Sequence, residues 1–486
     1  MKPGQLAQAG RDPALPLELE LGGGDEATTL TLIAWLRVLP GQRYVALADW
    51  QGRRVLAKLL VGARAAKQYR RELDGARLLA GQELTTPHLL ADGLDGQEGW
   101  LLFEFLEDAQ SLAKAWQEVE AKVPLSKGQA EVLGEALAAI ARLHARGLWQ
   151  DDLHLDNLLR HEGQLFLIDG GGVRAETPGE PLSRSRVLDN LGVFFAQLPP
   201  QVLSHLEALL PAYLQVNSIH ELSSVAIREA EARVRRWRVR DYLDKAGRDC
   251  SLFSVTRDAS SWRAVVRALE PALAPLLAQP DAFVEQGERF KGGGTATVAR
   301  VELGGRSLVV KRYNIKHLRH HLSRCWRPSR AWHSWREAHR LTLLGIATPA
   351  PLAVIEERWH GLRGRAFLVT DYLAGQDIIT CFRPYLDTPP PGPMLAALDR
   401  LFAALIAARI SHGDFKGTNL FWQGAEEGGR WVLIDLDSMR QHAGPRGFER
   451  AYQRDRARFM RNWSADSPLH RLLDARIPKS SLKPEA

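Results

Sequence analysis

Cysteine is scarce. The chain has three in 486 residues, Cys250, Cys325 and Cys381, far apart and without a CxxC pair. A sparse, odd count excludes a disulfide framework and a cysteine-built zinc site, and it suits a reducing compartment. Long apolar runs are absent as well. No stretch reaches the ~18 apolar residues of a membrane span. The nearest, Met394 to Ile410, is interrupted by Asp399 and Arg400 and reads as an amphipathic or buried helix. The opening MKPGQLAQAGRDPALPLELELGGGDE lacks the apolar core of a secretory leader. The expectation is a cytoplasmic protein whose membrane contact, on the inner membrane, is peripheral. Neither charge dominates: 64 Lys and Arg against 57 Asp and Glu give +7, with a pI of about 9.3. That excess suits anionic partners without choosing among nucleotides, nucleic acid and acidic membranes. With 45% apolar and 25% charged residues, disordered and collagen-like chains are excluded.

What is present is a repeat. ALAAIARLHARGLWQDDLHLDNLL followed by LFLIDGGG matches LFAALIAARISHGDFKGTNLF followed by WVLIDLDS. Each reads as an apolar helix, a D-x-x-x-x-N loop (Asp152 to Asn157; Asp414 to Asn419) and a short strand ending in Asp169 or Asp435. Upstream, YVALADWQGRRVLAKLL and TATVARVELGGRSLVVKRY read as hairpins with Lys58 and Lys311 in their second strands. Helical stretches carrying Glu72 and Glu337 follow. Five polar residues matched in order indicate a duplication, and a period this long means two domains rather than a solenoid.

The second copy gathers the means for phosphoryl transfer. Gly292, Gly293 and Gly294 precede the strand pair of Lys311 and let backbone amides approach phosphate oxygens. Lys311, flanked by valines, needs a partner, which Glu337 and nucleotide phosphates can supply. Asp414 is placed to accept or orient a hydroxyl proton, and Lys416 to neutralise the transferred group. Asn419 and Asp435 offer oxygen ligands for Mg2+. Singly, each acid is most simply a cap or a turn; jointly they form a kit for positioning and charge neutralisation.

This ordered set resembles the protein-kinase-like fold. SHGDFKGTNL and VLIDLDS are most similar to the lipopolysaccharide kinase family, which phosphorylates heptose or Kdo of the inner core. The resemblance implies an α+β chain of two tandem kinase-like domains, each with a small β-rich lobe and a larger helical lobe, using ATP and Mg2+. It gives Lys311 and Glu337 the roles of phosphate lysine and its partner, Asp414 that of base, and Asn419 and Asp435 those of metal ligands. Gly413 stands where many kinases carry Arg. Asp437 reads as an extra metal ligand or, slightly preferred, an ordinary solvated acid. The first copy keeps Lys58, Glu72, Asp152, Asn157 and Asp169 in the same roles. It departs in its one-glycine loop at Gly41, in His154 for the lysine, in Asp151, whose charge would repel phosphate, and in the free backbone of Gly170, Gly171 and Gly172. It is a second active kinase or a degenerate partner, and the five retained positions favour activity.

Between Arg312 and Arg336 there is no acid. Lys316, Arg319, Arg324, Arg327 and Arg330 interleave with Trp326, Trp332 and Trp335. This segment is expected to hold a phosphorylated, lipid-linked saccharide at the inner leaflet; a solvated basic loop is the plain alternative. Arginine with aromatic residues also stacks on nucleic acid, but a kinase framework disfavours that partner. His317, His320 and His321 lack the companions of a metal site. Arg235, Arg236, Arg238 and Arg240 on a second basic helix read as bracing. The expected domains are 1–215, a helical basic connector over 216–265, and 266–486, with a flexible start of ~25 residues. The function expected is ATP-dependent phosphorylation of a core sugar hydroxyl. The alternatives are a protein Ser/Thr or small-alcohol acceptor, or a partly pseudokinase scaffold.

Overall fold

The computed structural model describes residues 2–10, 13–22, 28–120, 125–314, 328–359, 362–424 and 428–481. The chain divides into two compact units, Met1–Arg236 and Trp237–Ala486.

The first unit begins with a six-stranded antiparallel sheet. Its order is Leu17–Leu21, Thr28–Leu39, Arg43–Trp50, Arg53–Val61, Glu98–Glu104, Leu89–Asp95. Alternation along Arg43–Trp50 buries Tyr44, Ala46 and Ala48 on one face. Its turn to the next strand uses Gln51 and Gly52 at left-handed φ of 56° and 77°, as a two-residue hairpin requires. The helix Ala65–Gly81 follows. The helical part is built on Lys127–Ala145, capped by Ser126 and burying Leu133, Leu137 and Ile140. Part of the opening segment packs on this sheet. Pro3–Gln8 forms a 3-10 turn, Leu6 is fully buried, and Tyr44 donates to the Leu6 carbonyl at 2.6 Å.

The second unit has a seven-stranded antiparallel sheet. Its order is Phe253–Arg257, Ser261–Val266, Pro351–Trp359, Leu362–Asp371, Arg306–Tyr313, Ala296–Leu303, Glu288–Lys291. The connector expected to be helical over 216–265 is helical only over Ser224–Lys245. Its later part forms two strands at one edge of this sheet, because FSVTR pairs with SWRAVV and SWRAVV with Pro351–Trp359. The helix Arg330–Leu343 follows the lysine strand, and Gly392–Ala408 buries Leu395, Leu398, Phe402 and Leu405 in the helical part. The lysines have matching registers. Lys58 lies opposite Val45 and Leu101, and Lys311 opposite Val298 and Leu368. Among the described residues no helix is long and apolar enough to cross a membrane.

Candidate active site

In the second unit a cavity of about 680 Å³ is lined by Val298, Val309 and Leu368 from the sheet and by Phe421 and Ile434 beneath it. Lys311, Asp414, Lys416, Asn419, Asp435 and Asp437 line the same cavity, so residues more than a hundred positions apart meet there. Lys291 and Thr295 line it as well, on either side of the three glycines. Gly293 and Gly294 take φ of +79° and +63°, which explains glycine at those two positions.

Lys311 Nζ lies 2.5 Å from Asp435 Oδ1 and 2.9 Å from Asp437 Oδ1. Glu337, expected as its partner, is instead held by Arg340 one turn along the helix, at 2.9 and 3.3 Å. Two nearer carboxylates satisfy the lysine, and the glutamate has its own cation. Asp437 is therefore no solvated acid. Its Oδ1 also accepts from Tyr313 Oη at 2.6 Å and Ser334 Oγ at 2.8 Å, and Arg330 lies 3.9 Å from Oδ2. Burial first, then the Asp437 charge, pushes the Tyr313 phenol well up, so it remains a donor to that carboxylate. Burial would raise Asp435, but the charge and hydrogen bond of Lys311 outweigh it and hold the carboxyl below its ordinary range. Asp435 sits at a left-handed φ of 61°, a strained position for a residue with a Cβ.

The Asp414 loop is fixed from behind. Asn419 Nδ2 donates to the Asp414 carbonyl at 2.9 Å, which turns its Oδ1 the other way. His412 and Gly413 donate their backbone N–H groups to Asp455, and the His412 ring stacks on Phe415 and meets the Ile434 carbonyl at 3.0 Å. Burial lowers the His412 ring's proton affinity, so it is neutral and donates from Nε2. Gly413 has a local reason to replace arginine: φ is +78°, and a Cβ would lie 2.5 Å from the Ser438 carbonyl oxygen. Asp414 faces two cations, Lys416 at 3.4 Å from Oδ2 and Arg458 at 2.5 Å from Oδ1. The Arg458 contact is electrostatic, since Oδ1 has no aligned hydrogen-bond donor.

The donor set fits a phosphate-bound Mg2+ better than a protein-caged metal. Asn419 and Asp435 carry hard oxygens and line one cavity, and among the described residues no cluster of three or more His, Cys, Asp or Glu could hold a metal alone.

The first unit pairs its residues differently. Lys58 lies 2.6 Å from Glu72 Oε2 and 3.2 Å from Asp169 Oδ1. Arg43 joins them, 3.2 Å from Glu72 and 4.0 Å from Asp169. By strand register Arg43 stands where the second unit has Ala296, a small residue lining the cavity. Burial would lower Lys58, but Glu72 and Asp169 outweigh it and raise it. Asp169, again left-handed at φ 66°, is pulled down to about 2 by Lys58 and Arg43 against the effect of burial. Asn157 donates to the Asp152 carbonyl at 2.9 Å, as Asn419 does to Asp414. The Asp152 side chain is exposed, with His154 at 3.8 Å. Asp151, expected to repel phosphate, is matched by Arg174 at 3.4 Å and Arg71 at 3.9 Å. Gly170 and Gly171 are not there for freedom. A Cβ on Gly170 would meet the backbone of Ala76 at 2.7 Å, and one on Gly171 the Glu72 carboxylate at 2.5 Å.

The basic segment is only partly described. Lys316, Arg319, Arg324, Trp326 and Arg327, with His317, His320, His321 and Cys325, lie outside the described residues. Arg312 pairs with Asp281 at 2.7 Å. Trp335 is no interfacial anchor: it is fully buried and donates to the Ala246 carbonyl at 3.1 Å. Trp332 packs edge-on against Trp262. Arg235 pairs with Glu231 and donates to the carbonyls of Phe195 and Leu198, all within the first unit.

Arg43 and Arg458 are the site residues that sequence reading missed; Asp437 stands out in the sequence, but as a metal ligand or solvated acid and not as a partner of Lys311. Asp437 carried a signal, an acid two residues after the strand-terminal Asp435.

Residues 276–472, within the second unit, match the family model of the lipopolysaccharide kinase (Kdo/WaaP) family. Comparison with curated proteins gives no match. Among solved structures, a similar chain is that of "WaaP in complex with acyl carrier protein", with 18% identity, covering 43% of this chain and 86% of that one, at a TM-score of 0.30. The family match identifies the activity as that of a kinase, a phosphotransferase with an alcohol group as acceptor.

Proposed function

We propose that the second unit is an ATP-dependent kinase for a heptose or Kdo hydroxyl of the lipopolysaccharide inner core, acting at the cytoplasmic side of the inner membrane. The observation that carries this reading is the meeting of Lys311, Asp414, Lys416, Asn419 and Asp435 on one cavity. The apolar walls at Val298, Val309, Leu368 and Ile434 suit a nucleobase, and Lys311 suits the phosphates. Mg2+ bound to those phosphates, with Asn419 and Asp435 as its protein ligands, would supply neutralisation of the developing charge. Asp414 orients the acceptor hydroxyl and takes its proton as the new O–P bond forms and the bond to ADP breaks. Lys416 and Arg458, both beside Asp414, are the cations that would neutralise the transferred group.

The test is transfer of labelled phosphate from ATP to purified core oligosaccharide. Wild type labels it, and Asp414→Asn lowers the rate ~10²-fold or more, the usual contribution of a positioned base. Labelling of a protein serine or a small alcohol, with the oligosaccharide left untouched, would discard the sugar acceptor.

We infer further that the first unit is a second copy of the same framework. The matching lysine registers, left-handed Asp169 and Asp435, and Asn157 bonded as Asn419 is support this. A second reading has a specific observation behind it. Arg43 fills the position of Ala296 and completes a closed cluster of two cations and two carboxylates, which favours a copy that has given up the nucleotide. Mg-ATP titration of the full chain separates them: one site lost in Lys311→Met supports the closed copy, and a second site that is lost only with Lys58→Met refutes it.

A further inference from the structure

One long basic feature of the second unit is not absorbed by the phosphoryl-transfer kit. The helix Pro445–Met460, with the residue that follows it, carries Arg446, Arg450, Arg454, Arg458 and Arg461 at steps of four, four, four and three. At ~100° per residue this is one stripe, ~22 Å long, on the side away from buried Phe448, Tyr452, Asp455 and Phe459. All five arginines are exposed. Among the described residues, only Arg458 makes an ion pair, and its partner is Asp414. Glu449, the acid on this helix nearest the stripe, is turned to Ser480, Ser481 and Gln453. Like charges at i,i+4 destabilise a helix, and among the described residues Arg446, Arg450 and Arg461 have no carboxylate partner in an ion pair.

We propose that this stripe is the docking track of the acceptor, and that the acceptor is a saccharide already carrying two or more phosphate groups. Toward its C-terminal end the stripe meets Asp414 through Arg458, so a polyanion lying along it brings a neighbouring hydroxyl to the base. Guanidinium groups bind such oxyanions in bidentate fashion. The inference rests on the proposed sugar acceptor and moves its recognition from the Arg312–Arg336 segment to this helix.

The test uses the full chain and the double variant Arg450→Ala/Arg454→Ala. Both residues are exposed and unpaired, so the fold is retained. Calorimetry with phosphorylated core oligosaccharide, and with the same material after phosphatase treatment, reads binding independently of turnover. The expected result is a ~10-fold or greater loss of affinity for the phosphorylated form in the variant. With the treated form, variant and wild type bind alike. Arg450→Lys/Arg454→Lys recovers part of the affinity, and the KM for ATP is unchanged. Equal affinity of wild type and variant for the phosphorylated form overturns the track. Loss of binding to acidic lipid vesicles, with oligosaccharide affinity intact, overturns it in favour of a membrane contact. Binding by the stripe without any phosphate transfer by wild type would discard the sugar-kinase reading and leave the anion track standing.

Discussion

At the residue scale, the lysine of each unit is the most informative side chain. A strand lysine flanked by apolar neighbours must find carboxylates, and the two units find different ones. Lys58 takes the helix glutamate, Glu72; Lys311 takes Asp437 in the loop after the strand. Asp437 thus positions Lys311, the lysine proposed to meet the phosphates. Asp437→Asn is expected to lower kcat/KM for ATP ~10–100-fold, whereas Glu337→Gln stays within ~3-fold of wild type; steady-state kinetics at varied ATP check both. Asp169 gives a prediction in pH. Its folded carboxyl sits at about 2 against an ordinary 3.8, so its contribution to stability is complete above the unfolded value and is lost as pH falls through that window. Asp169→Asn should flatten the dependence of the urea midpoint between pH 4 and about 2. An unchanged slope would remove Asp169 from the acid-sensitive set.

At the scale of elements, periodicity identified the lysine hairpins, the glutamate helices and the apolar helix before the Asp414 loop, because one face of each is buried; it did not identify the helix Pro445–Met460 that supplies Arg458. It also misled where an apolar stripe and a basic stripe share a helix. Trp335 reads in sequence as a member of an arginine–tryptophan cluster, yet it lies on the buried face of Arg330–Leu343. Trp335→Ala should cost ~3–5 kcal/mol of stability by cavity formation, read as a lowered melting temperature, with vesicle binding unaltered. The D-x-x-x-x-N loop is equally constrained. Gly413→Ala combines a left-handed φ with a carbonyl in the way of its Cβ. It should destabilise by ~1–3 kcal/mol and reduce transfer, through displacement of Asp414.

At the scale of the molecule, the chain is two units, each with its own sheet and its own buried helical core. Paired Asp152→Asn and Asp414→Asn variants of the full chain assign the activity between them. Loss of transfer with Asp414→Asn alone, Asp152→Asn remaining near wild type, is the outcome that follows if Arg43 closes the first copy. Equal losses would make both copies catalytic.

The amino-acid order alone determined the hairpins, the lysine strands and the acids that face the cavity of the second unit, because these depend on local alternation, turn chemistry and spacing. Which carboxylate each lysine meets was decided only in three dimensions. So were the insertion of Arg43 where its counterpart is alanine, the burial of Trp335, and the approach of Arg458 to Asp414. Those are distances between side chains on separate elements, and short-range pattern carries no record of them; close packing of the sheet, helix and loop backbones sets them.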